Sequence, residues 1–255
     1  MKTILITGAS SGLGQALAEH YAAVGVTLHI SGRNDERLQA VAERCRARGA
    51  AVYVSCCDVT DKEAMHAWIS AADAAMPLDL VIANAGISAG TGGADGESAA
   101  QSERIFRTNV DGVLHTLHPI IPAMQRRRRG QLAVMSSLAA LRALPSAPAY
   151  SASKAAVKTY GEALRGHLQR WNVGVSVICP GYVRTPMTAV NTFPMPGLMT
   201  AQKAAHIIAR GLERNRARIV FPLWLYWLLC GVAALPGALT DPVFARLPGK
   251  SAQQG

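Results

Sequence analysis

Residues 2–14 read Lys2-Thr3-Ile4-Leu5-Ile6-Thr7-Gly8-Ala9-Ser10-Ser11-Gly12-Leu13-Gly14. A short β-rich apolar run breaks into three glycines, and the apolar positions beyond them recur at helical spacing. Each glycine has a physical task. Gly8 permits a tight exit from the strand. Gly12 lets the backbone approach a pyrophosphate. Gly14 lets the new helix pack closely on the sheet. The helix N-terminus then adds amide donors and the positive end of its dipole. Such a turn is weak evidence alone. Here a strand precedes it, a helix follows, and a second strand ends near residue 31, as a dinucleotide-binding unit requires.

Outward from this turn the chain alternates. β-rich runs lie at residues 2–7, 26–31, 51–56, 79–83, 131–136, 173–179 and 217–221. Several are continuously apolar, as strands covered on both faces are. Between them helical periods appear: Leu13, Leu17, Tyr21 and Val24; Leu38, Val41, Ala42 and Cys45; Val157, Tyr160, Leu164, Leu168 and Trp171. The expected fold is α/β, a doubly wound parallel sheet of about seven strands with helices on both faces. Residues 1–221 read as one nucleotide-binding and catalytic domain. Residues 222–255 read as an apolar C-terminal extension and not as a separate domain.

Composition sets the outer limits. The chain has 255 residues, half of them apolar and 16% charged, which excludes a disordered chain and a small disulfide scaffold. Cys45, Cys56, Cys57, Cys179 and Cys230 are odd in number and contain no Cys-x-x-Cys pair, so neither a disulfide framework nor a metal site is expected. The first residues form too short an apolar run for a signal peptide, which points to a cytoplasmic protein. Lys and Arg exceed Asp and Glu by 26 to 16, a formal charge of +10. The excess gathers in Arg126 to Arg129, before Gly130, and in Arg210, Arg214, Arg216 and Arg218. No aromatic residues are interleaved, so nucleic acid is not expected as a partner. The first block reads as a solvated helix end with Gly130 as its cap. An anionic membrane surface is the other reading of this charge.

Chemistry-bearing residues converge further on. Ser136-Ser137 ends the fifth strand, and Tyr150 stands thirteen residues past Ser137, in Tyr150-Ser151-Ala152-Ser153-Lys154. Tyr150 and Lys154 are four apart and share one face of a helix. Ser137 arrives at the C-terminal end of its strand, where open α/β sheets bind ligands. A phenol and an ammonium on one helix face can exchange a proton with an oxygen held beside them. A tyrosine titrates near about 10, and an ammonium beside it favours the phenolate. A serine can donate to the substrate oxygen and position it. Ser137 lacks a Gly-x-Ser-x-Gly elbow, so acyl-transfer hydrolysis is not indicated. Ser10-Ser11 reads as a helix cap.

The spacing Thr-Gly-x-x-x-Gly-x-Gly, together with Tyr-x-x-x-Lys, resembles the short-chain dehydrogenase/reductase family in its branch of roughly 250 residues. The resemblance runs to about residue 220. It implies a nicotinamide cofactor held by Gly8, Ser10, Ser11, Gly12, Leu13 and Gly14. It assigns the adenine contact to Asp58 and Val59, and the turn bordering the cofactor to Asn84, Ala85 and Gly86. Pro180, Gly181, Val183 and Thr185 would lie beside the nicotinamide carboxamide. Tyr150 would be the acid/base beside the cofactor, and Lys154 would tune it and hydrogen-bond the cofactor ribose. Asn109, in Thr108-Asn109-Val110-Asp111-Gly112, would be the fourth catalytic member, holding a water that links Lys154 to solvent. After the second strand, Gly32 stands where an acid would accept from an NAD ribose, and Arg33 follows with a fork suited to a 2′-phosphate. NADP(H) is therefore favoured over NAD(H), although Arg33 could instead be solvated or paired with Asp35 or Glu36. The family also implies a homodimer or homotetramer.

Residues 187–199 are rich in Met, Phe and Pro and carry no charge, which suits an apolar, lipid-like carbonyl or alcohol substrate better than a phosphorylated sugar. A packed surface flap is the alternative. Residues 219–240 also lack charge. Their length would allow a membrane span, but Pro222 and Pro236 interrupt them and Trp and Tyr cluster at one point. Peripheral membrane contact through residues 222–240, at the inner face of a membrane, competes with an oligomer contact or a lid. Rival functions are a catalytically silent nucleotide-binding regulator, a membrane-associated scaffold of the same fold, and a nucleotide-sugar epimerase or dehydratase. The four site residues disfavour the first, and the glycine spacing disfavours the last.

Overall fold

A computed structural model describes residues 2–91 and 96–245. The last ten residues of the expected extension lie outside the described part. The strands are β1 (Lys2–Ile6), β2 (Val26–Gly32), β3 (Ala51–Cys56), β4 (Leu80–Ala83), β5 (Gly130–Met135), β6 (Val173–Pro180), the short β7 (Val183–Arg184) and β8 (Met199–Thr200), and β9 (Arg218–Phe221). The helices are α1 (Gly12–Tyr21), α2 (Asp35–Arg46), α3 (Lys62–Ala75), α4 (Ala99–Phe106), α5 (Gly112–Leu117), α6 (Ile121–Arg127), α7 (Pro148–Leu168), α8 (Pro186–Ala189), α9 (Ala201–Glu213), α10 (Leu223–Ala233) and α11 (Gly237–Phe244).

Seven strands form one parallel sheet in the order β3-β2-β1-β4-β5-β6-β9. Alternation along β1 explains the two layers. Ile4 and Ile6 face α1, α2 and α9, while Leu5 faces α3, α5 and α7, and all three are fully buried. The order reverses direction between β1 and β4, so their C-terminal ends diverge and leave a crevice. A separate pair, β7 with β8, brackets residues 185–198.

Several local expectations are corrected. Val24 does not extend the first helical face: α1 ends at Tyr21 and Val24 is 86% exposed. The segment before Arg126 is not one long helix. It divides into α4, a π-helical turn at Arg107–Asp111, α5 and α6. The left-handed residue closing α6 is Arg128, at φ 49°, and Gly130 instead opens β5. Nor is the arginine block simply solvated. Arg127 donates to both carboxylate oxygens of Asp73, at 2.7 and 2.9 Å, and to the Leu78 carbonyl. Arg129 pairs with Asp79 at 2.6 Å. These pairs tie α3 and the loop before β4 to the end of α6 and the turn before β5.

No helix among the described residues is long and apolar enough to cross a membrane. Instead α10 folds against the outer edge strand. Leu225, Tyr226 and Leu229 pack on Leu138, Val177, Cys179 and Val220, and Arg218 of β9 donates to the Tyr226 hydroxyl at 2.8 Å. Arg142 holds α11 through Asp241 at 2.7 Å and lies over the Phe244 ring.

Candidate active site

The crevice at the strand ends opens into a cavity of about 600 Å³. Its floor is set by the β1–α1 turn. Gly8 and Gly12 have φ of +66° and +57°, where a side chain is strained. A Cβ on Gly14 would stand 2.2 Å from the Gly8 carbonyl oxygen. The turn is strapped to β4 from the other side. Asn84 Nδ2 donates to the carbonyls of Thr7 and Gly8 at 2.9 and 3.2 Å, and the Thr7 hydroxyl accepts from the amides of Asn84 and Ala85. The result is a bare backbone cradle at a helix N-terminus, with room where side chains would intrude. That fits a pyrophosphate.

At one end of the cavity lie Ser10, Ser11, Leu13, Arg33, Asp58 and Val59. Arg33 pairs with Asp58 at 3.8 Å rather than with Asp35 or Glu36, and two-thirds of its side chain is exposed. Asp58 is held in turn by the amide and hydroxyl of Thr60, both at 2.9 Å. Arg37, in the first turn of α2, lines the same end. Its position was not readable as a site residue, because nothing in the charge pattern separates it from the solvated faces of α2.

At the other end are Ala85, Gly86, Pro180, Gly181, Val183 and Thr185, facing Ser137, Tyr150 and Lys154. Thr185 caps α8 in a reciprocal box with Thr188, which fixes the loop after β6. Ser137 caps the turn Leu138–Ala140, its Oγ accepting from the Ala139 amide at 3.1 Å. The same serine hydrogen-bonds the Tyr150 hydroxyl. Lys154 is buried, and its ammonium donates to the Met135 carbonyl at 2.9 Å. The nitrogen stands 5.9 Å from the centre of the Tyr150 ring.

Asn109 does not line the cavity. It is fully buried in the π-helical turn behind it. Its Oδ1 accepts from the Ile87 amide at 2.8 Å, and its Nδ2 donates to the Ile87 carbonyl and to Ser153 Oγ, both at 3.0 Å. Ser153 passes the connection to the Tyr150 carbonyl, and Ser136 donates to the Lys154 carbonyl at 2.8 Å. A Cβ on Gly86 would fall 3.1 Å from Asn109 Oδ1 and 3.2 Å from Lys154 Nζ, so both side chains converge on one point. Ser136, Ser153, Thr108 and Ile87 were not singled out in the sequence. Small polar residues beside a motif carry no signal until the strands bring them together.

The electrostatics depart from expectation in one respect. The Tyr150 phenol lies above its ordinary value, not below it. Burial pushes it up, the Ser137 hydrogen bond pulls it back, and Tyr182 nearby adds to the rise. Burial likewise brings Lys154 down to about 8. The ammonium is turned to the Met135 carbonyl, and burial is the largest cause of both shifts.

Beyond the site, Met187 borders the cavity and Tyr182 meets Phe193 edge-on at 6.1 Å. The flap is braced by the tail: Cβ atoms on Gly181 and Gly197 would stand 3.0 and 2.7 Å from the Pro222 ring, and Trp224 lies beside Gly197.

Comparisons with known proteins agree with this geometry. A family model described as short chain dehydrogenase matches residues 2–193. A Myxococcus xanthus protein described as an uncharacterized oxidoreductase is 41% identical over 244 residues, 95% of this chain and 94% of that protein. A short-chain dehydrogenase from Sphingobium yanoikuyae in complex with NADPH superposes with a TM-score of 0.81 at 24% identity, over 100% of this chain and 99% of the other. A short-chain dehydrogenase/reductase from Burkholderia phymatum in complex with NAD gives 0.82 at 26%, over 99% and 98%. With its seven-stranded sheet, glycine cradle and matching relatives, the chain belongs to the short-chain dehydrogenase family of oxidoreductases.

Proposed function

We propose that the protein is an NADP(H)-dependent oxidoreductase that interconverts a carbonyl and a secondary alcohol on an apolar, lipid-like substrate. The observation that carries this reading is the convergence of Ser137, Tyr150 and Lys154 at the mouth of a nucleotide-sized crevice. The glycine turn, with Ser10, Ser11 and Leu13, would hold the pyrophosphate. Asp58, Val59 and the turn Asn84 to Gly86 would border the adenosine, and Pro180, Gly181, Val183 and Thr185 the nicotinamide. When bound, the nicotinamide supplies or accepts the hydride.

The chain's own residues manage the proton. Ser137 positions the substrate oxygen against Tyr150. Tyr150 gives its phenolic proton to that oxygen, or takes one from it in the reverse direction. A phenol held above its usual value is protonated at neutral pH, which suits the reductive direction. Lys154, brought to about 8, can carry or release a proton near neutrality and return one to Tyr150. Asn109 is a positioning residue that anchors the Ile87 turn and the Ser153 hydroxyl behind the lysine.

Arg33, with Arg37 beside it, supports the 2′-phosphate and hence NADP(H) over NAD(H). The uncharged flap around Met187 and Phe193 supports an apolar substrate. In this reading residues 1–221 are the catalytic unit and residues 222–255 an extension. The protein works in the cytoplasm as a homodimer or homotetramer, with a peripheral membrane contact through residues 222–240.

The test is NADPH and NADH oxidation against a panel of ketones and acyl thioesters, with Tyr150→Phe in parallel. The variant should bind nucleotide as the parent does and lose turnover by about three orders of magnitude. Retained turnover removes Tyr150 from the reaction.

A further inference from the structure

Twelve large apolar side chains are exposed among the described residues, and seven of them fall in the tail: Leu223, Trp224, Trp227 and Leu228 on α10, Leu235 in the connecting turn, and Leu239 and Val243 on α11. Two more, Met187 and Val190, belong to the flap. Contiguous apolar surface of this kind marks a docking face. The helix that carries most of it is apolar all round, with one side on β9 and the other uncovered.

What covers it is indicated by charge and by side-chain type. Tyr226 on α10 reaches Arg218, at the start of β9, and the turn just before that strand carries Arg214 and Arg216. Both are exposed and make no ion pair among the described residues. Of the acids near this edge, Glu162 is engaged with Lys158 and Arg218 and Asp241 with Arg142, while Glu213 ends α9 one residue before Arg214, leaving the two arginines in excess. Two tryptophans, leucines and unpaired arginines are the components of an interfacial segment, and the helix is too short to span. We infer that the outer face of α10 and α11 seats on a bilayer carrying anionic headgroups, with Trp227 and Leu228 entering the interface and Arg214 and Arg216 meeting lipid phosphates.

The placement has a consequence for the site. Pro222 and Trp224 brace Gly197 of the flap, so the docked face adjoins the cover of the substrate cavity. An apolar substrate dissolved in the bilayer would then enter from the membrane. The docking deepens the membrane contact proposed above, and this consequence rests in addition on the apolar-substrate reading.

Flotation of the full chain with neutral phosphatidylcholine vesicles, and with vesicles containing phosphatidylglycerol, tests it. The chain should float with the anionic vesicles and largely remain behind with the neutral ones. Trp227→Ser with Leu228→Ser should abolish flotation while thermal unfolding and NADPH binding stay intact. Arg214→Gln and Arg216→Gln should each weaken partition about fivefold, and added salt should do the same. Failure of the parent to float, or equal flotation with both vesicles, overturns the inference. So does light scattering that shows a dimer dissociated by the Trp227 and Leu228 changes without vesicle binding, which would assign the face to a second copy. Because flotation needs no turnover, an enzyme inactive on every ketone would leave this result readable.

Discussion

The β1–α1 turn and the α10–α11 tail are built on opposite plans. In the turn, space is tight: Gly14 has a carbonyl oxygen 2.2 Å from where its Cβ would be, and Asn84 Nδ2 donates to the Thr7 and Gly8 carbonyls of the turn itself. In the tail, one face is open: Gly231 meets nothing within 4 Å, and Trp227 is 67% exposed. The difference suits the two partners proposed above. A cradle for a nucleotide must be shaped before the ligand arrives, because misplaced atoms cost binding geometry. A face meant for a fluid or extended surface needs side-chain chemistry more than shape.

The widest contrast comes from one substitution made twice. Gly14→Ala drives a methyl into the Gly8 carbonyl and should cost about 3 kcal/mol or more, with nucleotide binding lost. Gly231→Ala, in the exposed last turn of α10, should add up to about 0.5 kcal/mol of stability. Thermal unfolding and NADPH fluorescence titration read both. Similar costs at the two sites would break the comparison.

Lys154→Met sharpens it within the site. Turnover should fall by about two to four orders of magnitude, yet the fold should not suffer, since a desolvated ammonium is removed. Between about 8 and its ordinary 10.5, Lys154 is deprotonated in the fold and protonated in the unfolded chain. The unfolded state then binds more protons, so this group's contribution to stability rises with pH across that window. The difference in unfolding temperature between parent and variant should track that rise. A difference independent of pH would refute the assignment.

A smaller effect is expected at Arg33, which is exposed and paired only at 3.8 Å. Arg33→Ser should shift the ratio of kcat/KM for NADPH over NADH by roughly tenfold toward NADH, measured by competing titrations. An unchanged ratio would transfer the 2′-phosphate to Arg37. Smallest is Tyr226→Phe, which leaves Arg218 without its 2.8 Å acceptor and should lower stability by about 1 kcal/mol without altering activity on a small ketone.

Much of this molecule is written in local pattern. The strand runs, the glycine turn, the i,i+4 pair of Tyr150 and Lys154 and the serine at the end of β5 are legible because backbone conformation and side-chain period act over a few residues. A parallel sheet then brings every strand end to one edge, so residues distant in sequence meet without further instruction. Other features depend on which atoms surround a group. Asn109 became a buried strut because a π-helical turn aims it at Ile87 and Ser153. The arginine block became a set of ties because Asp73 and Asp79 arrive from α3 and the loop before β4. The direction of the Tyr150 shift was decided by burial, which no spacing reveals. Sequence by itself determined the main strands, their order and the candidate reacting groups. Only tertiary structure decided how much water each group keeps and which long side chain finds which partner, because desolvation and charge pairing depend on the whole packed surroundings.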